Sequence, residues 1–97
     1  MGRKQQFFSA DFSEQWKKSY AALQYQQEKG VDKVVMALLK GEDTPGMRIK
    51  PIEPDKYYYE ARYTDGGRII YRHESGTILF VDIVSHDDIG GYGRRPK

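Results

Sequence analysis

Phe12, Trp16, Tyr20 and Leu23 recur at intervals of four, four and three. That spacing puts them on one stripe of an α-helix, while Glu14, Lys17, Lys18 and Gln24 fall elsewhere on the wheel. Asp11 stands three residues before Glu14, the arrangement in which one side chain caps a backbone N–H and the other reaches back, so a helix is expected to begin there. Gly30 is expected to end it. Asp32 then caps a second helix whose buried face is Val34, Val35, Leu38 and Leu39, with Gly41 at the left-handed position beyond its end. Two helices with so short a connection predict an antiparallel hairpin. Ahead of them, Gln5 to Ala10, with Phe7 and Phe8 adjacent, reads as a brief strand leading into the first helix.

The pattern changes after Gly41. Pro45, Gly46, Pro51 and Pro54 exclude helix from Glu42 to Asp55 and favour an extended, partly exposed loop. Three runs rich in β-branched and aromatic residues follow, Tyr57 to Thr64, Arg68 to Glu74 and Thr77 to Val84. Asp65-Gly66-Gly67 and Ser75-Gly76 separate them, predicting a β-meander. The fold class expected is α+β, an N-terminal helical hairpin packed on one face of an antiparallel sheet. Alternation puts Tyr58, Glu60 and Arg62 on one face of the first long strand, and Arg68, Ile70 and Arg72 on one face of the second. An arginine-bearing face beside an apolar one follows, with nothing obvious to cover it. The ending His86-Asp87-Asp88-Ile89-Gly90-Gly91-Tyr92-Gly93 is too glycine-rich for a long helix, and Arg94 to Lys97 are expected to form a frayed basic tail.

Length and composition narrow the class. At 97 residues, 38% of them hydrophobic and 31% charged, the chain is one domain, 1–97, and is too short to build a second core. The longest apolar runs, such as Val34 to Leu39, are far below the 18 or more residues that cross a bilayer. The N-terminus is not followed by the apolar segment of a secretory signal, so a cytoplasmic protein without membrane attachment is expected. There is no cysteine, and His73, His86, Asp87 and Asp88 lack any metal-ligand spacing, so no metal or cofactor is expected. The net charge is +2, which selects no partner. The unusual count is eight tyrosines, three of them consecutive at Tyr57, Tyr58 and Tyr59, which supply apolar area, hydroxyls and stacking faces together.

Three groups carry candidate chemistry. Lys50, Arg62, Arg68 and Arg72, with Arg48 nearby, form a cationic patch of the kind that holds a phosphodiester, because a guanidinium contacts two non-bridging oxygens at once. Alternatively, each cation is a solvated strand residue paired with Glu60, Asp65 or Glu74. His86 and Tyr92 follow the last strand; an imidazole can move a proton near neutral pH, and a phenol can move a proton or stack on a base. Equally, His86 can simply close the strand against a neighbouring carboxylate. An exposed tyrosine such as Tyr58 on the arginine face can stack on a nucleobase.

In order and spacing, Lys50-Pro51-Ile52, the strand Tyr57 to Tyr63 with Arg62, Gly67-Arg68-Ile69-Ile70-Tyr71-Arg72, and Ile78 to Val84 followed by His86-Asp87-Asp88-Ile89 resemble the RelE/ParE superfamily of small bacterial toxins from type II toxin–antitoxin systems. The resemblance implies a helical hairpin on an antiparallel sheet and a cognate antitoxin as partner. It also implies one of two activities. RelE-like members cut mRNA on the ribosome without a metal, driving the 2′-hydroxyl onto the adjacent phosphate; ParE-like members inhibit DNA gyrase and do no chemistry. Carried over by position, Lys50, Arg62, Arg68, His86 and Tyr92 are the catalytic candidates; Arg48 and Arg72 of the cationic patch and Tyr58 of the arginine face are the RNA-binding ones. The reading preferred is a ribosome-dependent mRNA endoribonuclease that inhibits translation, with a gyrase inhibitor or an inactive toxin homologue acting as a binding module as alternatives. Asp87 and Asp88 depart from the basic residues many RelE-like nucleases carry after the last strand, and would repel a phosphate.

Overall fold

In a computed structural model, which describes residues 7–96, the chain folds as a five-stranded sheet with two helices on one face. The elements run β1 (Ser9–Phe12), α1 (Glu14–Ala21), α2 (Tyr25–Leu39), a 3-10 turn at Pro45–Met47, β2 (Lys50–Pro51), β3 (Tyr59–Thr64), β4 (Gly67–Glu74), β5 (Thr77–Ser85) and a 3-10 segment at His86–Tyr92. The strand order is β1-β5-β4-β3-β2. The meander β3-β4-β5 is antiparallel as expected. β1 pairs with β5 in parallel, which makes the whole sheet mixed, the two helices lying on the crossover between them. Gln5 and Gln6 of the expected first strand, and Lys97 of the tail, lie outside the described residues.

The helix boundaries differ from the expected ones for local reasons. Ser13, not Asp11, caps α1: its Oγ accepts from the Trp16 backbone N–H at 3.0 Å and donates to the Val81 carbonyl at 2.6 Å. One hydroxyl thus caps the helix and ties it to β5. α1 stops at Ala21, and α2 begins where the Gln27 side chain accepts the Gln24 backbone N–H at 2.9 Å. Gly30 lies inside α2 and does not end a helix. A mid-helix glycine costs about 1 kcal/mol relative to alanine, but Val31, Val34 and Leu38 on the same helix are buried, and their burial outweighs it. Asp32 caps nothing; its carboxylate accepts the Tyr20 hydroxyl at 2.8 Å. Gly41, at φ 76°, closes α2 in the left-handed position foreseen for it.

The core beneath the helices contains Trp16, Val31, Val34, Leu38, Met47, Ala61, Ile69, Tyr71, Ile78, Phe80 and Ile83. Phe12 stacks on Phe80 with ring centroids 5.1 Å apart. A bulge interrupts β4–β5, where Tyr71 pairs with Phe80 and Ile70 with Asp82, leaving Val81 unpaired. Strict alternation from Phe80 would drive Asp82 under the helices; the extra residue puts it opposite Ile70 instead, with Ile83 returned to the core.

The opposite face is not open. Ile52 and Ile70 are buried on it, as are Glu60 and Asp82, because the C-terminal segment turns back across β4 and β5. The segment ends against the loop before β3. The Asp55 N–H donates to the Gly93 carbonyl at 2.9 Å, and the Arg95 N–H to Asp55 Oδ2 at 2.7 Å. Gly93 is needed there, since a Cβ would collide with the Glu53 carbonyl oxygen. The tail expected to fray is hydrogen-bonded through Arg95; the Arg95–Asp55 contact joins residues forty positions apart and leaves no local signature.

Candidate functional site

The cationic candidates lie in rows across the face opposite the helices. Arg62 of β3 is the cross-strand partner of Arg68 of β4, which faces Val84 of β5. The next row holds Lys50, Glu60, Ile70 and Asp82. Arg72, opposite Leu79, lies four residues beyond Arg68, about 13 Å along the strand.

Two arginines facing each other across strands repel, and each has acquired a carboxylate. Arg62 pairs with the exposed Asp65. Arg68 lies 3.4 Å from Glu60, with side chains 12% and 7% exposed. Arg72 Nε lies 2.7 Å from Glu74. The partners are the ones the sequence offered for solvated strand cations, but the Arg68–Glu60 pair is buried, and it leans on further bonds. Arg68 Nη1 donates to the carbonyls of Thr64, Asp65 and Gly67 at 3.1, 3.0 and 2.9 Å.

The β3–β4 turn is therefore a hub. Arg62 reaches its Asp65, Arg68 reaches three of its carbonyls, and the His86 N–H donates to the Gly66 carbonyl at 2.9 Å. Arg48 joins from the other side, sharing with Arg62 a shallow cavity of about 610 Å³ that Pro45, Tyr63 and Asp65 also line. Arg48 sits at φ 46° just after the 3-10 turn. The imidazole of His86 is 60% exposed, with Nδ1 3.7 Å from Asp87. Lys50 is exposed one row away, opposite Glu60.

Tyr92 belongs to a different group. Its hydroxyl donates to Asp82, a carboxylate only 5% exposed. Burial first, and then this hydrogen bond, push its phenol well above the usual value. Its ring lies edge-on to Tyr58 at 5.7 Å, and Tyr58 edge-on to Tyr57 at 4.9 Å; burial raises the Tyr58 phenol as well. Arg72 completes this group, donating to the Tyr57 carbonyl at 3.1 Å. The structure thus gathers Arg48, Arg62, Arg68 and His86 around the β3–β4 turn and Tyr58, Arg72 and Tyr92 toward the other end of the face, with Lys50 between.

Asp82 is the polar residue that sequence reasoning passed over. It accepts the Ser19 hydroxyl at 2.6 Å and the Ile83 N–H at 2.8 Å as well as Tyr92, so it links α1, β5 and the C-terminal segment. The signal was present, as a lone carboxylate inside the apolar run Thr77 to Val84. Among the described residues, no three or more His, Asp or Glu side chains stand together as a metal site, and no helix is long and apolar enough to cross a membrane.

Neither a protein-family model nor a curated protein sequence matches the chain. Solved structures do. A chain of the E. coli DinJ–YafQ toxin–antitoxin complex matches at TM-score 0.72 and 16% identity, over 87% of this chain and 96% of that one. This chain has the RelE-like toxin fold. The toxin–antitoxin complex RelBE2 from Mycobacterium tuberculosis matches at TM-score 0.67 and 18% identity, over 90% and 100% of the two chains. A metal-bound toxin from Helicobacter pylori matches at 0.69 and 17%, over 84% and 97%. The helices cover one sheet face, and the candidate residues on β3 and β4 occupy the face that the C-terminal segment crosses.

Proposed function

We propose that this chain is the toxin of a type II toxin–antitoxin system, acting in the cytoplasm as a metal-independent, ribosome-dependent mRNA endoribonuclease held in check by a cognate antitoxin. The observation that carries the reading is the cross-strand Arg62–Arg68 pair beside His86 at one turn. Two guanidiniums at neighbouring positions suit the doubly negative charge that builds on the non-bridging oxygens of a pentacoordinate phosphate. Asp65, exposed and paired with Arg62, is readily exchanged for a substrate phosphate.

In the proposed reaction the ribose 2′-oxygen forms a bond to phosphorus and gives up its proton, the bond from phosphorus to the 5′-oxygen breaks, and that oxygen takes a proton. His86 is assigned the proton transfer because its imidazole is exposed, whereas the Tyr92 proton is committed to Asp82. Lys50 lowers the cost of negative charge on the 2′-oxygen. Tyr92 and Tyr58 act as aromatic surface, and Arg48 and Arg72 hold flanking phosphates.

The test adds purified protein to translating ribosomes and maps mRNA 5′ ends. Codon-phased cuts are expected, falling at least about 100-fold in Arg62→Ala and Arg68→Ala, as for the loss of a preorganised charge-stabilising donor. Absence of phased cuts at growth-inhibiting doses rejects the reading. A specific observation favours a second one: Arg62, Arg68 and Arg72 are each already neutralised by a carboxylate, which suits a protein-docking surface such as a gyrase inhibitor presents. Supercoiling by gyrase with and without the protein separates the two.

A further inference from the structure

Tyr57 carries two cations. The guanidinium carbon of Arg72 lies 3.7 Å from its ring centroid and that of Arg95 lies 4.8 Å from it. The first is fixed, because Arg72 is also bonded to Glu74 and to the Tyr57 carbonyl. The second is held only through its backbone, by Asp55. Among the described residues no carboxylate pairs with the Arg95 guanidinium. Glu74 pairs with Arg72 alone and Asp55 meets only the Arg95 backbone, so the Arg95 guanidinium stands over the ring without a carboxylate of its own. Tyr58 and Tyr92 support that ring edge-on in series.

We propose that Tyr57, Arg72 and Arg95 form a second contact for a single-stranded RNA, in which a base stacks on Tyr57 while Arg95 swings from the ring to a backbone phosphate; this rests on the RNA-directed reading above. A ring alone would suit any apolar ligand, and two guanidiniums alone any anion. Together they fit a ligand with a flat π-face joined to a phosphate, and only an unpaired strand offers its base faces for stacking. Position agrees with chemistry. Arg72 shares a face of β4 with Arg68, about 13 Å away, so a strand gripped at the Arg62–Arg68 pair reaches Tyr57 by passing over the C-terminal segment that covers Ile70 between them. The C-terminal crossing is also built to deliver Arg95, through the close approach of Gly93 to Glu53 and the paired bonds to Asp55.

The experiment measures fluorescence anisotropy of a labelled single-stranded RNA oligonucleotide with the full chain and with Tyr57→Ala, Tyr57→Phe and Arg95→Glu. Tyr57→Ala is expected to weaken binding about tenfold or more and Tyr57→Phe to leave it nearly unchanged. Arg95→Glu should weaken binding and lower the slope of log K against log salt by about 0.7, one phosphate contact. Circular dichroism checks folding; if Tyr57→Ala is unfolded, the exposed Arg95→Glu change carries the test. Binding that is unchanged in both variants overturns the proposal. So does equal binding of a duplex, absence of RNA binding by the wild type, or capture of an oligoglutamate peptide in place of RNA. Phased cleavage on ribosomes is measured with the same preparations. Cleavage without Tyr57-dependent RNA binding removes this site alone, and Tyr57-dependent binding without cleavage supports the site and removes the ribonuclease reading.

Discussion

The two faces of the sheet are sealed by different means. Under the helices, Phe80, Ile69, Ala61 and Val31 are fully enclosed within a cluster of hydrophobic side chains. On the other face Ile70 is equally enclosed, but its neighbours include the buried carboxylates of Glu60 and Asp82, and its cover is a 3-10 segment of seven residues. The first face can only be lost by unfolding. On the second, hydroxyls, guanidiniums and a tail are held by polar contacts that another polar ligand can replace. The helix-covered face carries the apolar packing, and the candidate residues lie on the other.

The largest effect that tests this contrast is truncation of the two enclosed residues. Phe80→Ala should cost about 3–5 kcal/mol in urea unfolding. Ile70→Ala should cost about 2–3 kcal/mol, at the low end of its class, because the C-terminal segment can settle into the space. Equal costs would show that the second face is packed as rigidly as the first. Next is the ion pair within the second face. Glu60→Ala leaves Arg68 without its carboxylate, and about 2–3 kcal/mol of destabilisation is expected, moderated by the three carbonyls that Arg68 retains.

The Tyr92–Asp82 contact gives a smaller effect with a pH signature. Tyr92→Phe should cost about 1.5–3 kcal/mol, the range for a hydrogen bond to a charged group. The Tyr92 phenol is raised above its ordinary 10.0 by burial and by Asp82. The Tyr20 phenol is pushed up to about 12, mainly by its hydrogen bond to Asp32. A raised folded value means that the folded state keeps the proton longer. The contribution is whole below pH 10, and is lost as pH climbs from there toward the folded value, because the unfolded chain ionises first. Unfolding midpoints should therefore fall as pH rises from 10 toward 12, and less steeply in Tyr92→Phe. The smallest change is Gly30→Ala. A Cβ there would meet the Tyr63 ring and carbonyl at 3.4 Å, an ordinary contact, so a gain of up to about 1 kcal/mol is expected from helix propensity. A loss in thermal unfolding would show instead that α2 needs a glycine to approach β3.

Much of the helix-covered face was legible because its signals are local and periodic. The stripe through Trp16, the spacing of Val34 and Leu38, and the turns at Gly66 and Gly76 each lie within a few residues of the elements they define. The helix ends were misread at Asp11 and Gly30, where a weak propensity competed with contacts to β5 and β3. On the candidate face, alternation correctly placed Tyr58, Glu60 and Arg62 together, and Arg68, Ile70 and Arg72. It could not show that Glu60 would be buried against Arg68, or that the chain would return to cover Ile70.

By itself the sequence determined the α+β class, the meander, and which side chains share a strand face, because periodicity and turn chemistry act over short stretches of chain. Only the tertiary structure decided that β1 closes the sheet in parallel, that the bulge at Val81 withdraws Asp82 from the core, and that Asp55 draws Arg95 over Tyr57. Those outcomes depend on contacts between residues far apart in sequence, such as the forty positions between Asp55 and Arg95, whose energies exist only once the sheet has formed.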